Sequence, residues 1–442
     1  MIGLRFALFL VALALISCAP VRAPTSALAT WQYIVTPPRA GESLVRVEMT
    51  VGETEWLVIP EGAVPAVSEV EQRRGDRWEA APRNDTAWEL SGCHAPCVAR
   101  YTIDLAALVA SCGRHRDCAM SVEGVTIAPV SSWLLRPHIG DANVTMRALG
   151  DGPFAFGMRR RGDGYAFRVS ELGEGSYTAF GPLRLRRLPR TDVAIDVALL
   201  GAPIAMTDDL VVKWIGEAID LSARFYGRFP VDATIFVLPV EGDAVRFGSV
   251  MALTGASVCL FVGREMAPGA THVDWILVHE LFHLGTPTFR GEGRWLGEGL
   301  ATYYEPLLRA RAGWTSEAEM WGHFDDEMPR GVRREGSASS IEERHDIDST
   351  YWGGALFAMI ADAKIREATG GAKSLDDAIR AAHAHGGNVT QVWSVREFFR
   401  IGDEATGTHV LANLHESFAL RGDAIDVARE LARAKKLIPA HP

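Results

Sequence analysis

The chain has no dense basic stripe. Lys and Arg number 45 against 55 Asp and Glu, a formal charge of −10, and a nucleic-acid-binding face would need clustered cations. Arg159-Arg160-Arg161 and the stretch from Arg184 to Arg190 are basic but short, and solvated strand faces account for them. Internal repeats and low-complexity tracts are also missing, so neither a repeat array nor a long disordered segment is expected. Long apolar runs are scarce too. Phe6 to Ile16 is too short to span a bilayer as a stable helix.

That run has another reading. With Arg5 ahead of it, residues 1–17 form a targeting segment, and Leu15-Ile16-Ser17-Cys18 resembles a bacterial lipobox. In such proteins the leader is cut before the cysteine, which carries the lipid. Cys18 is therefore the expected lipidation site, and residues 18–30, rich in Pro, Ala and Ser, a tether. The alternative is ordinary secretion with cleavage at a nearby small residue. The mature chain is expected at the bacterial cell envelope, lipid-anchored to the membrane on its periplasmic or extracellular face.

Cysteines are few, six in all. Cys93, Cys97, Cys112 and Cys118 cluster within 26 residues. Outside the cytoplasm four clustered thiols form two disulfides most simply, in one of three connectivities. A second metal site drawing on His94 or His115 is the sharper alternative, but CxxxC and CxxxxxC match no common zinc module. Cys259, in the apolar stretch Ser257 to Val262, reads as a buried thiol.

A length of 442 residues with 48% hydrophobic content suits two or three compact units. Residues 31–185 read as β: Val45, Val47, Met49 and Val51 alternate with polar neighbours, and Trp56 to Ile59, Tyr101 to Leu105 and Tyr165 to Val169 add strands. A β-sandwich is expected there. From residue 186 the pattern mixes. Thr207 to Tyr226 is a long amphipathic helix, Thr234 to Leu238 and Ser257 to Val262 are strands, and helices dominate from 311 to 442. The fold class is α+β.

The chemistry concentrates in Val278-His279-Glu280-Leu281-Phe282-His283 and Trp295-Leu296-Gly297-Glu298-Gly299. Two histidines four residues apart lie one turn apart on one helical face, where both imidazoles can bind a single Zn2+ ion. Glu280, beside the first, can reach the attacking water. Glu298 supplies a third ligand after a connection of 14 residues. The bland alternative is a buried amphipathic helix, but two histidines and a glutamate in so apolar a segment would be costly without a purpose.

HELFH followed by WLGEGLATYYE resembles the gluzincin zinc metallopeptidases. Tyr351-Trp352-Gly353-Gly354-Ala355-Leu356, then Asp362, Ile365-Arg366 and the segment Gly370 to Asp377, resembles the glycyl aminopeptidase family of that clan. The similarity covers about the last 250 residues and is strongest from 275 to 380. It implies a thermolysin-like catalytic half-domain over 186–310, a helical second half over 311–442 and a β domain beside them; the PDZ domain that many relatives append is not expected here. It also implies Tyr351 as oxyanion donor and Glu305, seven residues after Glu298, as an outer partner of the metal ligands. Tyr303 and Tyr304 are expected to pack, and Asp346 and Asp348 are candidates for holding a substrate amine. The family's acidic amine anchor is missing. The comparable stretch, Phe247 to Leu253, holds no Asp or Glu, although Gly248 and Ser249 could pair with substrate as an edge strand.

Peptide or protein is the expected substrate. An aminopeptidase-like zinc peptidase, an endopeptidase without free-amine selectivity and a silent zinc-stabilised peptide-binding lipoprotein are the readings carried forward.

Overall fold

The computed structural model describes residues 30–112, 118–138, 140–289, 291–332 and 339–439. The expected leader, Cys18 and the tether through residue 29 lie outside the described residues, as does His115. Among the described residues no helix is long and apolar enough to cross a membrane.

Strict alternation of buried and exposed residues along Thr30–Thr36 and Leu44–Val51 gives those strands one wet and one dry face. They sit centrally in an eight-stranded sheet whose opposite edges are Arg160–Arg161 and Arg77–Ala80. Its dry face, with Tyr33, Val47, Met49 and Tyr101, shares one core with two four-stranded sheets. Leu57 and Trp88 come from one of these, Phe156 and Phe180 from the other. The expected sandwich-like domain is present. Two short-range disulfides, Cys93–Cys97 and Cys112–Cys118, select one of the three open connectivities. His94 is exposed and faces Glu53 rather than the sulfurs.

The chain then enters a five-stranded sheet ordered Leu183–Leu188, Ile195–Leu200, Ala233–Val240, Ala256–Gly263 and Val245–Met251. The middle three strands run parallel, and the two outer strands pair antiparallel to them. Parallel central strands are covered on both faces. One face packs on the four-stranded sheet containing Val125 and Ala179, an interface that buries the free thiol of Cys259. Helices Asp208–Tyr226 and Ile276–His283 cover the other face. Thr207 caps the first of these by accepting from the Leu210 amide, and Gly227 ends it in the left-handed region.

The remaining helices form a separate core around Arg294–Arg311 and Gly354–Ala368. The residue 310/311 boundary expected between halves falls in the last turn of Arg294–Arg311. These two helices cross at glycine on glycine. A Cβ on Gly299 would lie 2.2 Å from the carbonyl carbon of Gly354, and one on Gly354 would lie 2.1 Å from the Trp295 oxygen. This close approach sets the distance from Glu298 to Tyr351, which precedes Gly354 by three residues.

Replacing Gly299 by Ala should cost about 1–3 kcal/mol through overpacking, seen as a lower urea midpoint at unchanged slope. Gly322, on helix Glu317–Glu327 with open space around its Cα, is the control. Gly322→Ala should be neutral or stabilising by up to about 1 kcal/mol. Equal midpoints for the two variants would contradict the contact.

Candidate metal centre

Helix Ile276–His283 begins where Asp274 accepts hydrogen bonds from the amides of Ile276 and Leu277, at 3.3 and 3.1 Å. At its far end the Tyr226 hydroxyl donates to the Phe282 carbonyl at 2.8 Å. Both ends are therefore held. The four-residue spacing sets the two imidazoles edge to face, with their Nε2 atoms 3.2 Å apart. Glu298, on the second turn of Arg294–Arg311, brings Oε2 to 3.4 Å from His279 Nε2 and 3.5 Å from His283 Nε2. All three candidate ligand atoms lie within 4.8 Å of one another, the only such grouping among the described residues.

The electrostatics fit a cation. Burial disfavours charge on Glu298, yet hydrogen bonds from His279 and His283 hold it well below the usual carboxylate range. Burial lowers His279, whereas His283 is raised, the Glu298 carboxylate outweighing its desolvation. An ionised carboxylate thus faces two imidazoles, of which His283 holds an added proton more readily than His279. A dication with two imidazole nitrogens and one carboxylate oxygen would replace that proton. On this donor set the residues fit Zn2+.

Glu280 points across the helix to the sheet edge. A Cβ on Gly248 would meet its Cγ at 2.6 Å and its Oε1 at 2.8 Å, so only glycine leaves the carboxyl its place. Burial, with the nearby Glu298 and Asp274 charges, pushes Glu280 up to about 7. Gly248 and Ser249 lie on Val245–Met251, the half-exposed outer strand of the sheet. Tyr351 sits in a π-helical turn, Asp348–Gly353, its ring stacked 6.0 Å from that of His279. Such turns are frequent at functional sites. Burial raises its phenol to about 12.

Glu305 is placed differently from the role the resemblance implied. Its Oε1 accepts from Arg309 at 2.6 Å, and Arg309 also donates to the carbonyls of His272 and Val273. His279 Nδ1 is buried without a hydrogen-bond partner among the described residues. Glu305 thus helps tie the Glu298 helix to the segment entering the histidine helix. Asp346 and Asp348 are also engaged: Asp346 accepts from the Ser349 amide, and Asp348 pairs with Arg330. Tyr303 and Tyr304 pack as expected, their hydroxyls donating to Asp362 and Asp376.

The sequence reading missed Asp274 and Arg294. Arg294, one turn before Glu298, brings Nε to 3.8 Å from Glu298 Oε1. Its positive charge also opposes the rise of the Tyr351 phenol. The i,i+4 spacing was the available signal.

Burial raises the Glu305 carboxyl to about 7, although Arg309 opposes the shift. The folded state then binds this proton more tightly than the unfolded chain, whose glutamate titrates near ~4.3. Its contribution favours folding at low pH and is lost as pH rises from ~4.3 through about 7. Glu305→Gln should therefore flatten the fall in melting temperature between pH 5 and pH 8. An unchanged slope would contradict the placement of that carboxyl.

No protein-family model and no curated protein matches the chain. Solved structures do. An aminopeptidase N family protein from Idiomarina loihiensis superposes with a TM-score of 0.60 at 16% identity, covering 93% of this chain and 76% of that one. The M1 zinc metallopeptidase from Deinococcus radiodurans gives 0.53 at 16% identity over 90% and 95%. A mutant of the latter bound to a Tyr-Ser-Ala substrate gives 0.53 at 17% identity, with the same coverage. At these identities the likeness shows the fold: this chain has the fold of these metallopeptidases, from its β domain through its helical C-terminal part.

Proposed function

We propose that the protein is a zinc-dependent peptidase in which His279, His283 and Glu298 hold the metal. The observation that carries this reading is the convergence of those three ligand atoms beside a buried, proton-affine carboxyl, Glu280. When bound, zinc supplies a Lewis acid that polarises a peptide carbonyl and acidifies water. Glu280 takes the proton of the attacking water and passes it to the leaving amine, a role suited by a carboxyl whose affinity for protons lies near neutrality. Tyr351, stacked over His279, donates its hydroxyl to the oxyanion. Gly248 and Ser249 offer an extended backbone edge with which a substrate strand can pair.

The fold neighbours include an M1 zinc metallopeptidase and an aminopeptidase N family protein. Together with the glycyl aminopeptidase resemblance of the catalytic segment, they favour an aminopeptidase-like enzyme. Endopeptidase action is the second reading, favoured by the edge strand itself, which carries no Asp or Glu to hold a free amine. With the short-range disulfides and the lipobox-like leader, we propose an envelope location with anchoring through Cys18.

Glu280→Gln should retain zinc at parent stoichiometry by elemental analysis and lose about 10²–10⁴-fold in turnover. His283→Ala should lose the metal itself. A Glu280→Gln variant that cleaves at the parent rate would overturn the assigned base.

A further inference from the structure

We infer that Arg294 is the substrate-selecting residue of this site and that it takes a carboxylate carried by the peptide; the inference rests on the peptidase reading above. Three observations carry it. Glu298 divides its oxygens: Oε2 faces the two histidines, and Oε1 faces the Arg294 guanidinium at 3.8 Å. One carboxyl group alone thus separates the guanidinium from the ligand atoms. A peptide residue spans about 3.8 Å between Cα atoms, so a group bound by Arg294 belongs to the peptide immediately around the reacting carbonyl.

The charges available to a substrate are also one-sided. Glu298 is committed to the histidines and Glu280 to proton transfer, and Asp274 is occupied by the amides of Ile276 and Leu277. The outer strand Val245–Met251 adds no carboxylate. The carboxylates at the centre are thus engaged, while the Arg294 guanidinium is open to an anion.

The form of that cation matters as well. Arg294 is 69% exposed on its side chain, with a loose contact to Glu298 at 3.8 Å. A guanidinium has five N–H donors in a planar fork, is always charged, and matches a carboxylate with two parallel hydrogen bonds. At 69% exposure, with one contact at 3.8 Å, most of its donors remain open to a ligand. The carboxylate can be an acidic side chain beside the scissile bond or the α-carboxylate of a short peptide.

The test uses zinc-loaded protein and two matched peptide pairs. One pair carries Glu or Gln next to the scissile bond with both termini blocked. The other lacks acidic side chains and ends in a free carboxylate or an amide. Cleavage of each is measured for the parent and for Arg294→Gln. Binding of each is measured by calorimetry on Glu280→Gln alone and combined with Arg294→Gln.

The parent should prefer the carboxylate member of one pair by about 10- to 100-fold in kcat/KM, mostly through KM, and Arg294→Gln should collapse that ratio. Preference in the blocked pair identifies an acidic side chain, and preference in the second pair identifies the α-carboxylate. Equal cleavage within both pairs overturns the inference and leaves the peptidase reading standing. A ratio that survives Arg294→Gln, with both rates lowered alike, also overturns it, because that is the signature of a merely structural arginine. If the parent cleaves nothing yet Glu280→Gln binds the carboxylate peptide more tightly through Arg294, the peptidase reading fails and the recognition stands.

Discussion

Three polar atoms on two helices must meet within 4.8 Å in a largely buried place, and the rest of the catalytic half is arranged around that demand. Two imidazoles and a carboxylate buried together are expensive unless a charge completes them. Each helix is accordingly fixed by contacts outside the site. Asp274 caps the histidine helix at one end, and Tyr226 holds its last turn. Arg309 joins the Glu298 helix to the carbonyls of residues 272 and 273. The Gly299–Gly354 crossing then delivers the turn that bears Tyr351. Precision at the centre comes from packing at these distances, not from the ligands themselves.

What lies close in the sequence was legible there. The spacing of His279 and His283 places both on one helical face whatever the surroundings, and the alternation around Val45 to Val51 requires a half-buried strand. Thr207 as a cap and the helix to Tyr226 follow from local capping chemistry. Glu298 was within reach because only a short connection separates it from His283. The fold class could be read from the order of these patterns, since strand-rich and helix-rich regions segregate along the chain.

What depends on tertiary packing was not legible. Nothing in the composition of Phe247 to Leu253 says that a glutamate from the next helix lies against Gly248. Disulfide pairing depends on which Cα atoms approach, and four clustered cysteines permit every arrangement. Glu305 lies seven residues beyond Glu298, as the resemblance would have it, yet its partner is Arg309, four residues further along the same helix. Arg294 was visible as an i,i+4 neighbour of Glu298, but its influence on the Tyr351 phenol acts across 57 positions of sequence. Such contacts are products of the folded topology.

The central claim is that this centre hydrolyses peptides with a bound zinc ion. The most direct measurement is cleavage of a peptide panel with free and acetylated N-termini by the soluble chain beginning after Cys18, before chelation, after it, and after zinc is restored. The account predicts cleavage that chelation abolishes and zinc returns. Cleavage confined to free-amine peptides and lost on chelation would mark an aminopeptidase, and internal cutting of acetylated peptides an endopeptidase. Zinc bound at one ion per chain with no peptide cleaved under any condition would contradict the account and leave a zinc-stabilised binding protein.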